Sequence, residues 1–213
     1  MDEAQGSTVT ADGPPKRGPG RPRRPGTEER AYKAALELFG QVGWSSLSLD
    51  AVAQRAGIGK SSIYLRWKDK RDLIVDAVRD LEATHVNPPL ELPIRDYLTA
   101  HARARAELVL GEHGPLIASG VSAAMANPED YAQVMDESLS RGAFALATRI
   151  EGAIEDGELP PSTSVSHLLD AIEGAIYFHF LISNAGKPRE HLRASLDEYV
   201  TELVDMVLAG VTR

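Results

Sequence analysis

The sequence contains no cysteine among its 213 residues. Disulfide bonds, thiolate nucleophiles and cysteine-ligated metals are therefore excluded together. Long apolar runs are missing as well: the longest candidate, 175–182, is interrupted by His179 and is much shorter than the roughly 20 residues that a membrane-spanning helix needs. The N-terminal segment carries Asp2, Glu3 and Asp12 but no basic flank followed by an apolar core, which argues against a signal peptide. We expect a cytoplasmic protein with no membrane association.

The sequence also lacks the motifs of common enzymes. It has neither the His-Glu-x-x-His pattern of zinc peptidases nor a Walker loop for phosphates. Gly57 and Gly59 begin a pattern that resembles a dinucleotide-binding turn, but no strand is predicted before them. The histidines are scattered, and no two of them are spaced three or four residues apart as metal ligands on one helix would be. We expect no catalytic activity, no metal site and no cofactor.

Charge is distributed unevenly along the chain. Residues 1–80 contain 14 Lys and Arg against 11 Asp and Glu, whereas residues 81–213 contain 9 against 20, which together give the net charge of −8. A positive N-terminal part on an acidic body indicates a polyanionic partner at one end of the molecule. Chance clustering of charged residues is the alternative at this stage.

Almost every segment after residue 26 has the apolar periodicity of an amphipathic helix. Thr27 is predicted to cap the first helix, and Gly40 and Gly43 are predicted to close it. The helices that follow begin at turn signals, and their predicted bounds are about 49–56, 60–67, 70–86, 94–111, 115–126, 128–156, 164–183 and 188–209. No segment shows the alternation of a strand, so the predicted fold class is all-α.

The segment 48–73 is the most informative part of the sequence. Two short amphipathic helices are joined by a tight turn at Gly57, which is the pattern of a helix-turn-helix over about 48–67. The second helix carries small, hydroxyl-bearing and cationic side chains, which suit an element that enters a DNA major groove about 12 Å wide. Ile63 and Trp67 are predicted to anchor this helix to the apolar residues beneath it.

Six residues of this segment are candidate DNA contacts. Lys60 can reach a phosphate or a guanine edge, and Tyr64 offers a hydroxyl to a phosphate and a ring to a thymine methyl. Ser61 and Ser62, between them, are small enough for close approach. Ser48 and Lys70 lie near helix N-termini, where backbone N–H groups also favour phosphate. The predicted contacts are Ser48, Lys60, Ser61, Ser62, Tyr64 and Lys70. For each residue alone, a solvated charge or an ordinary helix cap is the alternative.

Residues 27–73 resemble the DNA-binding domain of TetR-type regulators. The resemblance rests on the runs AALELFGQVGW, SLDAVAQRAGIGKSSIYLRW and KDKRDL. They contain the family's Ala-Gly turn, a polar recognition helix that ends in Tyr64 and Trp67, and Lys70 at the start of the fourth helix. Gly59 departs from the family, in which a Ser or Thr often caps the recognition helix, but glycine is a tolerated cap.

The resemblance implies an N-terminal three-helix helix-turn-helix domain followed by a larger helical domain for ligand binding and dimerisation. We assign these domains to residues 27–73 and 74–213, with residues 1–26 as a disordered basic arm. The resemblance also implies a homodimer on palindromic double-stranded DNA, with the helices at about 164–183 and 188–209 forming the interface. Apolar residues surround the first of these helices almost completely, which favours coverage on all sides, although burial within one chain would give the same pattern.

Candidate residues for a small-molecule effector site lie in the C-terminal domain. His101 and Arg105 are one turn apart on a predicted helix and could contact a polar or carboxylate-bearing ligand. Apolar walls of the pocket could be supplied by Met125, Phe144, Tyr177 and His179. For each of these residues an ordinary role in the core is the alternative. The resemblance implies that ligand binding would shift the fourth helix and move the two DNA-binding units out of register.

The N-terminal arm carries a second basic signal, with five cations and no acid in residues 16–24. The Gly-Arg-Pro-Arg run at 20–23 resembles the core of an AT-hook, in which an extended backbone lies in a narrow A·T minor groove with its arginines pointing inward. We expect Arg17, Arg21 and Arg23 to contact DNA beside the half-site. A solubilising tail, or attraction to phosphates without a fixed register, is the alternative.

These features together predict a ligand-released transcriptional repressor. A transcriptional activator with the same parts would leave the same sequence signals. An architectural DNA-binding protein without a ligand is a further alternative, suggested by the arm, but such a protein needs no long apolar C-terminal domain.

Deletion of residues 1–24 tests the role of the arm. If its five cations each contact a phosphate, the slope of log affinity for DNA against log salt concentration falls by roughly 4 per arm, because fewer counterions are released on binding. The measurement is a DNA titration at several salt concentrations. Deletion of residues 1–15, which keeps all five cations, is the control, and an unchanged slope in the longer deletion would show that the arm makes no contact.

Overall fold

The computed structural model describes residues 26–84, 88–183 and 186–211, without the side chains at 82–84, 130, 133, 135–143 and 183. These residues form ten α-helices and no strand, so the predicted all-α fold class is confirmed. The helices are α1 (Thr27–Ser46), α2 (Leu49–Ala56), α3 (Lys60–Tyr64), α4 (Lys70–Thr84), α5 (Ile94–Leu110), α6 (Gly114–Ala126), α7 (Pro128–Glu155), α8 (Val165–Tyr177), α9 (Arg189–Ala194) and α10 (Leu196–Val211). A π-helical segment, Phe178–Ser183, directly continues α8.

The first helix differs at both ends from the sequence prediction. Gly26 is its N-cap, with a left-handed φ of 77° that glycine adopts without strain, and Thr27 is buried in the first turn, so the predicted cap at Thr27 is wrong. Gly40 does not end the helix, because helical turns continue past it. Gly43 does interrupt the helix with a φ of 72°, and Trp44, which follows this break, is buried.

The last predicted helix, 188–209, is two helices in the structure. Ser195 separates α9 from α10, and its hydroxyl donates to the carbonyls of His191 and Leu192 at 3.5 and 3.4 Å. A serine side chain that bonds to the backbone in this way competes with continuous helical hydrogen bonding. The prediction of one uninterrupted helix is therefore wrong.

The helices of the DNA-binding segment share a hydrophobic core with part of the C-terminal body. Phe39 of α1, Val52 of α2 and Ile63 of α3 are completely buried in this core. Leu116 of α6 and Tyr131 of α7 belong to the same cluster. The core thus continues beyond the end that the sequence predicted for the domain, and it fastens α6 and the start of α7 to α1.

A second core joins α5, the C-terminal half of α7, α8 and α10. Its fully buried large side chains are Tyr97, Leu98, Leu146, Ile150, Ile172, Ile176, Val200 and Val204. Burial of each such aliphatic side chain contributes about 1.5–3 kcal/mol. The two cores meet along α7, since its first turns belong to the cluster with α1 and its second half belongs to this one.

An apolar surface remains on the last helices. The stretch Val165–Ile182 is long and apolar enough to cross a membrane by those two criteria alone, and only 28% of it is buried within the chain. Phe178 and Ile182 of the π-helical segment and Met206 of α10 are exposed. The last helices therefore leave large apolar side chains exposed on two elements of the chain.

Two helices approach each other closely at Gly40, where α1 crosses α6. A Cβ atom built on Gly40 would lie 3.0 Å from the backbone nitrogen of Leu116 and 3.3 Å from Pro115. The Ser119 hydroxyl donates to the Gly40 carbonyl at 3.3 Å and ties the two helices together. The absence of a side chain at Gly40 therefore permits the approach of α6 to α1.

We expect Gly40→Ala to lower the free energy of unfolding by about 1–3 kcal/mol, because the new methyl group meets backbone atoms that cannot move aside cheaply. Gly152→Ala is the matched control, since a Cβ at Gly152 of α7 would meet nothing within 4 Å. That control should stabilise the helix by roughly 0.5–1 kcal/mol. Urea unfolding measures both changes, and equal stabilities of the two variants would contradict the close approach.

Candidate nucleic-acid interface

The turn between α2 and α3 is built from two capping residues. The Ser48 hydroxyl accepts a hydrogen bond from the Ala51 backbone N–H at 3.2 Å and caps α2, which is the role that the sequence left open beside a DNA contact. Gly57 ends the helix with a left-handed φ of 63°, and its N–H turns back toward the carbonyl of Gln54 at 3.3 Å. These two caps fix the direction in which α3 leaves α2.

Apolar side chains hold α3 from behind. Ile63 is completely buried, and Trp67, just beyond the helix, is almost completely buried. The indole N–H of Trp67 donates to Asp76 of α4 at 3.0 Å, which satisfies its polar atom. The prediction that these two residues anchor the helix is confirmed. The helix itself ends at Tyr64, three residues earlier than predicted.

The opposite face of α3 is exposed and polar. Tyr64 is 54% exposed, Lys60 and Ser61 are also exposed, and Ser62 is half-buried. The Lys60 ammonium lies 2.6 Å from Asp50 of α2, and the Tyr64 hydroxyl donates to the same carboxylate at 3.3 Å. The hydrogen bond from Lys60 lowers the pKa of Asp50, and the same contact raises the pKa of Lys60.

Asp50 lies in the first turn of α2, and nothing in the local sequence pattern connects it with α3. Its partner Lys60 is ten residues away, beyond the Gly57 turn, so helical spacing alone gives no signal for the contact. The opposite charges of Asp50 and Lys60 on the two sides of the Gly57 turn are the sequence feature that could have indicated an ion pair.

The ammonium of Lys70, which the sequence predicted as a phosphate contact, already has partners within the chain. Its ammonium donates to the Trp44 carbonyl at 2.6 Å and lies 4.7 Å from the centre of the Trp44 ring. Asp69 precedes it and caps α4, because its carboxylate accepts from the backbone N–H groups of Arg71 and Asp72 at 2.8 and 3.0 Å. Lys70 is therefore a half-buried cation held against the end of α1.

Trp44 connects this cation to the C-terminal body. Its ring packs edge-on against Tyr131 of α7 at 5.2 Å and lies 5.9 Å from Phe39 of α1. Burial raises the pKa of Tyr131, which keeps its hydroxyl neutral. One aromatic cluster thus contacts α1, α7 and the first residue of α4.

The candidate contacts in the basic arm, Arg17, Arg21 and Arg23, lie outside the described residues. Their role in DNA binding stays a prediction from the sequence.

Two of the six candidate effector residues meet inside the C-terminal core. His101 Nε2 lies 2.6 Å from Glu173 Oε1, and Arg105 Nε donates to the same oxygen at 3.1 Å. Among the described residues, the other oxygen of Glu173 and the hydroxyl of the neighbouring Tyr97 are buried without a hydrogen-bond partner. Such atoms are costly unless a water or a ligand satisfies them. Glu173 was missed because its partners lie on α5, about 70 residues earlier in the chain, where helical spacing gives no signal.

Burial of Glu173 by itself would raise its pKa. The hydrogen bond from His101 and the charge of Arg105 outweigh this effect, so the pKa of Glu173 lies below its usual value. Glu173 is therefore a buried carboxylate that joins α5 to α8.

The other four candidate residues do not join this cluster. Met125 and Phe144 are 82% and 71% exposed, which is not the position of a cavity wall within one chain. Tyr177 is half-buried at the end of α8. His179 stacks on Tyr199 with ring centres 3.7 Å apart, and burial together with the charge of Lys187 lowers its pKa.

A cavity of about 350 Å³ lies elsewhere, between α1, α4 and the turn from α5 to α6. Its floor is apolar, with Leu36 and Leu116, and its rim carries Glu37, Asp80 and Glu112. None of the six candidate effector residues lines it.

Two family models match the chain. The model for bacterial regulatory proteins of the tetR family matches residues 31–77, and the model for tetracyclin repressor-like C-terminal domains matches residues 89–207. The first match covers the helix-turn-helix with most of α1, and the second covers the body from α5 to α10.

Individual proteins are similar over nearly the whole chain. The uncharacterized HTH-type transcriptional regulator YdeS of Bacillus subtilis is 25% identical over 193 residues, which span 90% of this chain and 93% of YdeS. The structure of Salmonella enterica GusR matches with a TM-score of 0.69 and 19% identity over 88% of this chain and 97% of GusR. The regulator FadR of Bacillus subtilis, in complex with stearoyl-CoA, matches with a TM-score of 0.68 and 18% identity over 86% of this chain and 98% of FadR. The two structures share the fold.

We expect Glu173→Gln to lower the free energy of unfolding at pH 7 by about 3 kcal/mol, because it removes the buried carboxylate charge to which His101 and Arg105 are hydrogen-bonded. The folded pKa of Glu173 lies below the unfolded value of about 4.3, so its stabilising effect is complete above that value and is lost as the pH falls through the folded pKa. Urea unfolding at pH 7 and in acid measures the difference between wild type and variant, which should shrink in acid. Glu151→Gln, at an exposed position of α7, is the control and should change little.

Proposed function

Since this chain belongs to the TetR family of bacterial regulatory proteins, we propose that it is a ligand-released repressor that binds a palindromic operator as a homodimer. Members of this family are DNA-binding transcriptional regulators, not enzymes. Repression, the dimer interface, the DNA contacts and the effector site are the specific parts of the proposal.

The two-sided character of α3 is the observation that carries the proposal. Its back is fixed by Ile63 and Trp67 in the hydrophobic core, while Lys60, Ser61 and Tyr64 lie on the exposed side. A rigid helix with short polar and cationic side chains on one face suits insertion into a major groove. We assign the base contacts to this face.

Contacts to the DNA backbone would fix the position of α3 in the groove. Ser48 lies at the N-terminus of α2, where helix N–H groups favour a phosphate. Lys70 keeps two ammonium N–H groups beyond the one that it donates to Trp44, so it can contact a phosphate without leaving α1. The arm residues Arg17, Arg21 and Arg23 would add contacts in the adjacent minor groove.

The apolar surface of the last helices supports the homodimer. Phe178 and Ile182 continue α8, and Met206 lies on the neighbouring α10. Two copies of this surface would form a four-helix interface and cover the side chains that one chain leaves exposed. This arrangement also accounts for the apolar character of Val165–Ile182 without a membrane.

The polar cluster between α5 and α8 supports a small-molecule site in the C-terminal body. His101 and Arg105 meet Glu173 there, and the cluster has an unsatisfied carboxylate oxygen. A ligand with a hydrogen-bond donor would satisfy that oxygen. Movement of α5 on binding would reach α1 through α6 and α7, which contact α5 and place Leu116 and Tyr131 in the core with α1.

Selection of bound duplexes from random DNA by the full chain tests the function. We expect one palindromic sequence whose half-sites are spaced for two α3 helices. When the selection is repeated with added cell extract or candidate metabolites, we expect binding to be lost. A reporter placed behind the selected operator should be silenced by the protein. Enrichment of no common sequence would contradict the proposal and favour an architectural DNA-binding protein, whereas stimulation of the reporter would indicate an activator.

We expect Lys60→Ala and Tyr64→Ala each to weaken operator binding by about 1–3 kcal/mol, because each removes a contact from the reading face. Fluorescence anisotropy measures the affinity, and sedimentation should show that the dimer is unchanged. Lys33→Ala is the matched control, since Lys33 is an exposed cation on α1 that pairs only loosely with Glu37 at 4.0 Å. Full-strength binding by both α3 variants would show that the reading helix is misplaced.

A further inference from the structure

Asp50 joins two of the proposed DNA contacts. Its Oδ2 atom accepts from the Lys60 ammonium at 2.6 Å, and its Oδ1 atom accepts from the Tyr64 hydroxyl at 3.3 Å. Lys60 and Tyr64 stand one turn apart on α3, while Asp50 belongs to α2. A single carboxylate therefore ties the outer face of α3 to the preceding helix.

The contact with Asp50 restricts how Lys60 can bind DNA. A lysine ammonium has three N–H donors on a flexible stem and usually binds phosphates as a point charge. Here one donor is directed at Asp50, so two donors remain for DNA and the ammonium is oriented by the carboxylate. Two donors oriented in this way suit the two acceptors of a guanine edge better than they suit a loosely placed phosphate.

The same carboxylate changes what Tyr64 can recognise. Its hydroxyl proton is donated to Asp50, so the hydroxyl oxygen can accept a hydrogen bond but has no proton left to donate. A phosphate offers only acceptors and is a poor partner for such an oxygen. The amino groups of adenine and cytosine are donors in the major groove and fit it.

The negative charge of Asp50 also affects binding to DNA of any sequence. A carboxylate beside the reading face repels DNA phosphates, and any phosphate that binds Lys60 must compete with the existing ion pair at 2.6 Å. Base contacts that leave the pair intact do not meet this competition. The residue therefore opposes non-specific binding more than it opposes specific binding.

We propose that Asp50 is a specificity-determining residue of the DNA interface, which positions Lys60 and Tyr64 for base edges and weakens their attraction to phosphates. The proposal rests on the proposed function, because it requires the exposed face of α3 to be the DNA-reading face. Loss of the Asp50 charge then tightens the binding of unrelated DNA and relaxes the choice of operator.

Asp50→Asn in the full-length chain tests this role, because it keeps the shape of the side chain and removes its charge. Affinities are measured for the selected operator and for a scrambled duplex of equal composition, at several salt concentrations. For the scrambled duplex we expect the log–log salt slope to steepen by about one per subunit, as one more phosphate is contacted. The ratio of the two affinities should fall on the order of tenfold. Asp50→Glu, which retains the carboxylate, should recover most of this ratio.

Glu37→Gln is the matched control for charge. It removes the same negative charge from the same domain, and its nearest cation in the structure is Lys33 at 4.0 Å. This variant should shift both affinities equally and leave their ratio unchanged. Thermal unfolding checks that each variant is folded, and Asp50→Ser, which keeps a helix-compatible polar residue at the start of α2, serves as a second neutral variant.

An unchanged affinity ratio in a folded Asp50→Asn or Asp50→Ser variant would overturn the inference while leaving the regulator assignment intact. The same change in Glu37→Gln as in Asp50→Asn would also overturn it, because the effect would then be one of total charge. If the wild-type chain prefers no sequence at all, both the proposed function and this inference fail.

Discussion

The packing of α6 and the start of α7 against α1 is the constraint on which a regulatory role of this chain depends. Tyr131 reaches from α7 to Phe39 and Trp44, and glycine at position 40 lets α6 approach α1 at backbone distance. A close-packed cluster cannot absorb a displacement of one member without moving its neighbours. Any change in the C-terminal body that moves α6 or α7 is therefore passed to the helix that supports α2 and α3. The contact lies inside one close-packed hydrophobic core, which α1 shares with α6 and the start of α7.

The chain must bind a polyanion although its net charge is −8. The acidic residues concentrate after position 80, in the body, while the cations that we propose as DNA contacts belong to α3, α4 and the N-terminal segment of the sequence. Long-range repulsion by the body lowers the affinity for any duplex, so binding depends on contacts that only a suitable sequence supplies. In our proposal the Asp50 carboxylate has the same repulsive effect on phosphates at short range, because it contacts Lys60 on the exposed face of α3.

Much of the fold follows from local sequence signals. The caps at Ser48 and Gly57, the buried back of α3 and the bounds of α5 and α7 are decided within a few residues, and the sequence predicted them. The prediction failed where distant residues decide the structure. The participation of Tyr131 in the core of the helix-turn-helix and the meeting of His101 with Glu173 join segments more than 70 residues apart, which periodicity cannot relate. Aromatic and sulfur side chains were expected to line a pocket because they are apolar, but Met125 and Phe144 lie at the surface.

The position of the two tryptophans has a spectroscopic consequence. The chain contains only Trp44 and Trp67, and both lie in the DNA-binding part of the molecule. Trp67 is fixed to Asp76 by its indole N–H, whereas Trp44 touches the ammonium of Lys70 on one side and Tyr131 of α7 on another. Indole emission responds to nearby charge and to ring contacts, so the intrinsic fluorescence of this protein originates where the body meets the DNA-binding helices. The molecule thus carries its own optical probe of that junction, without any attached label.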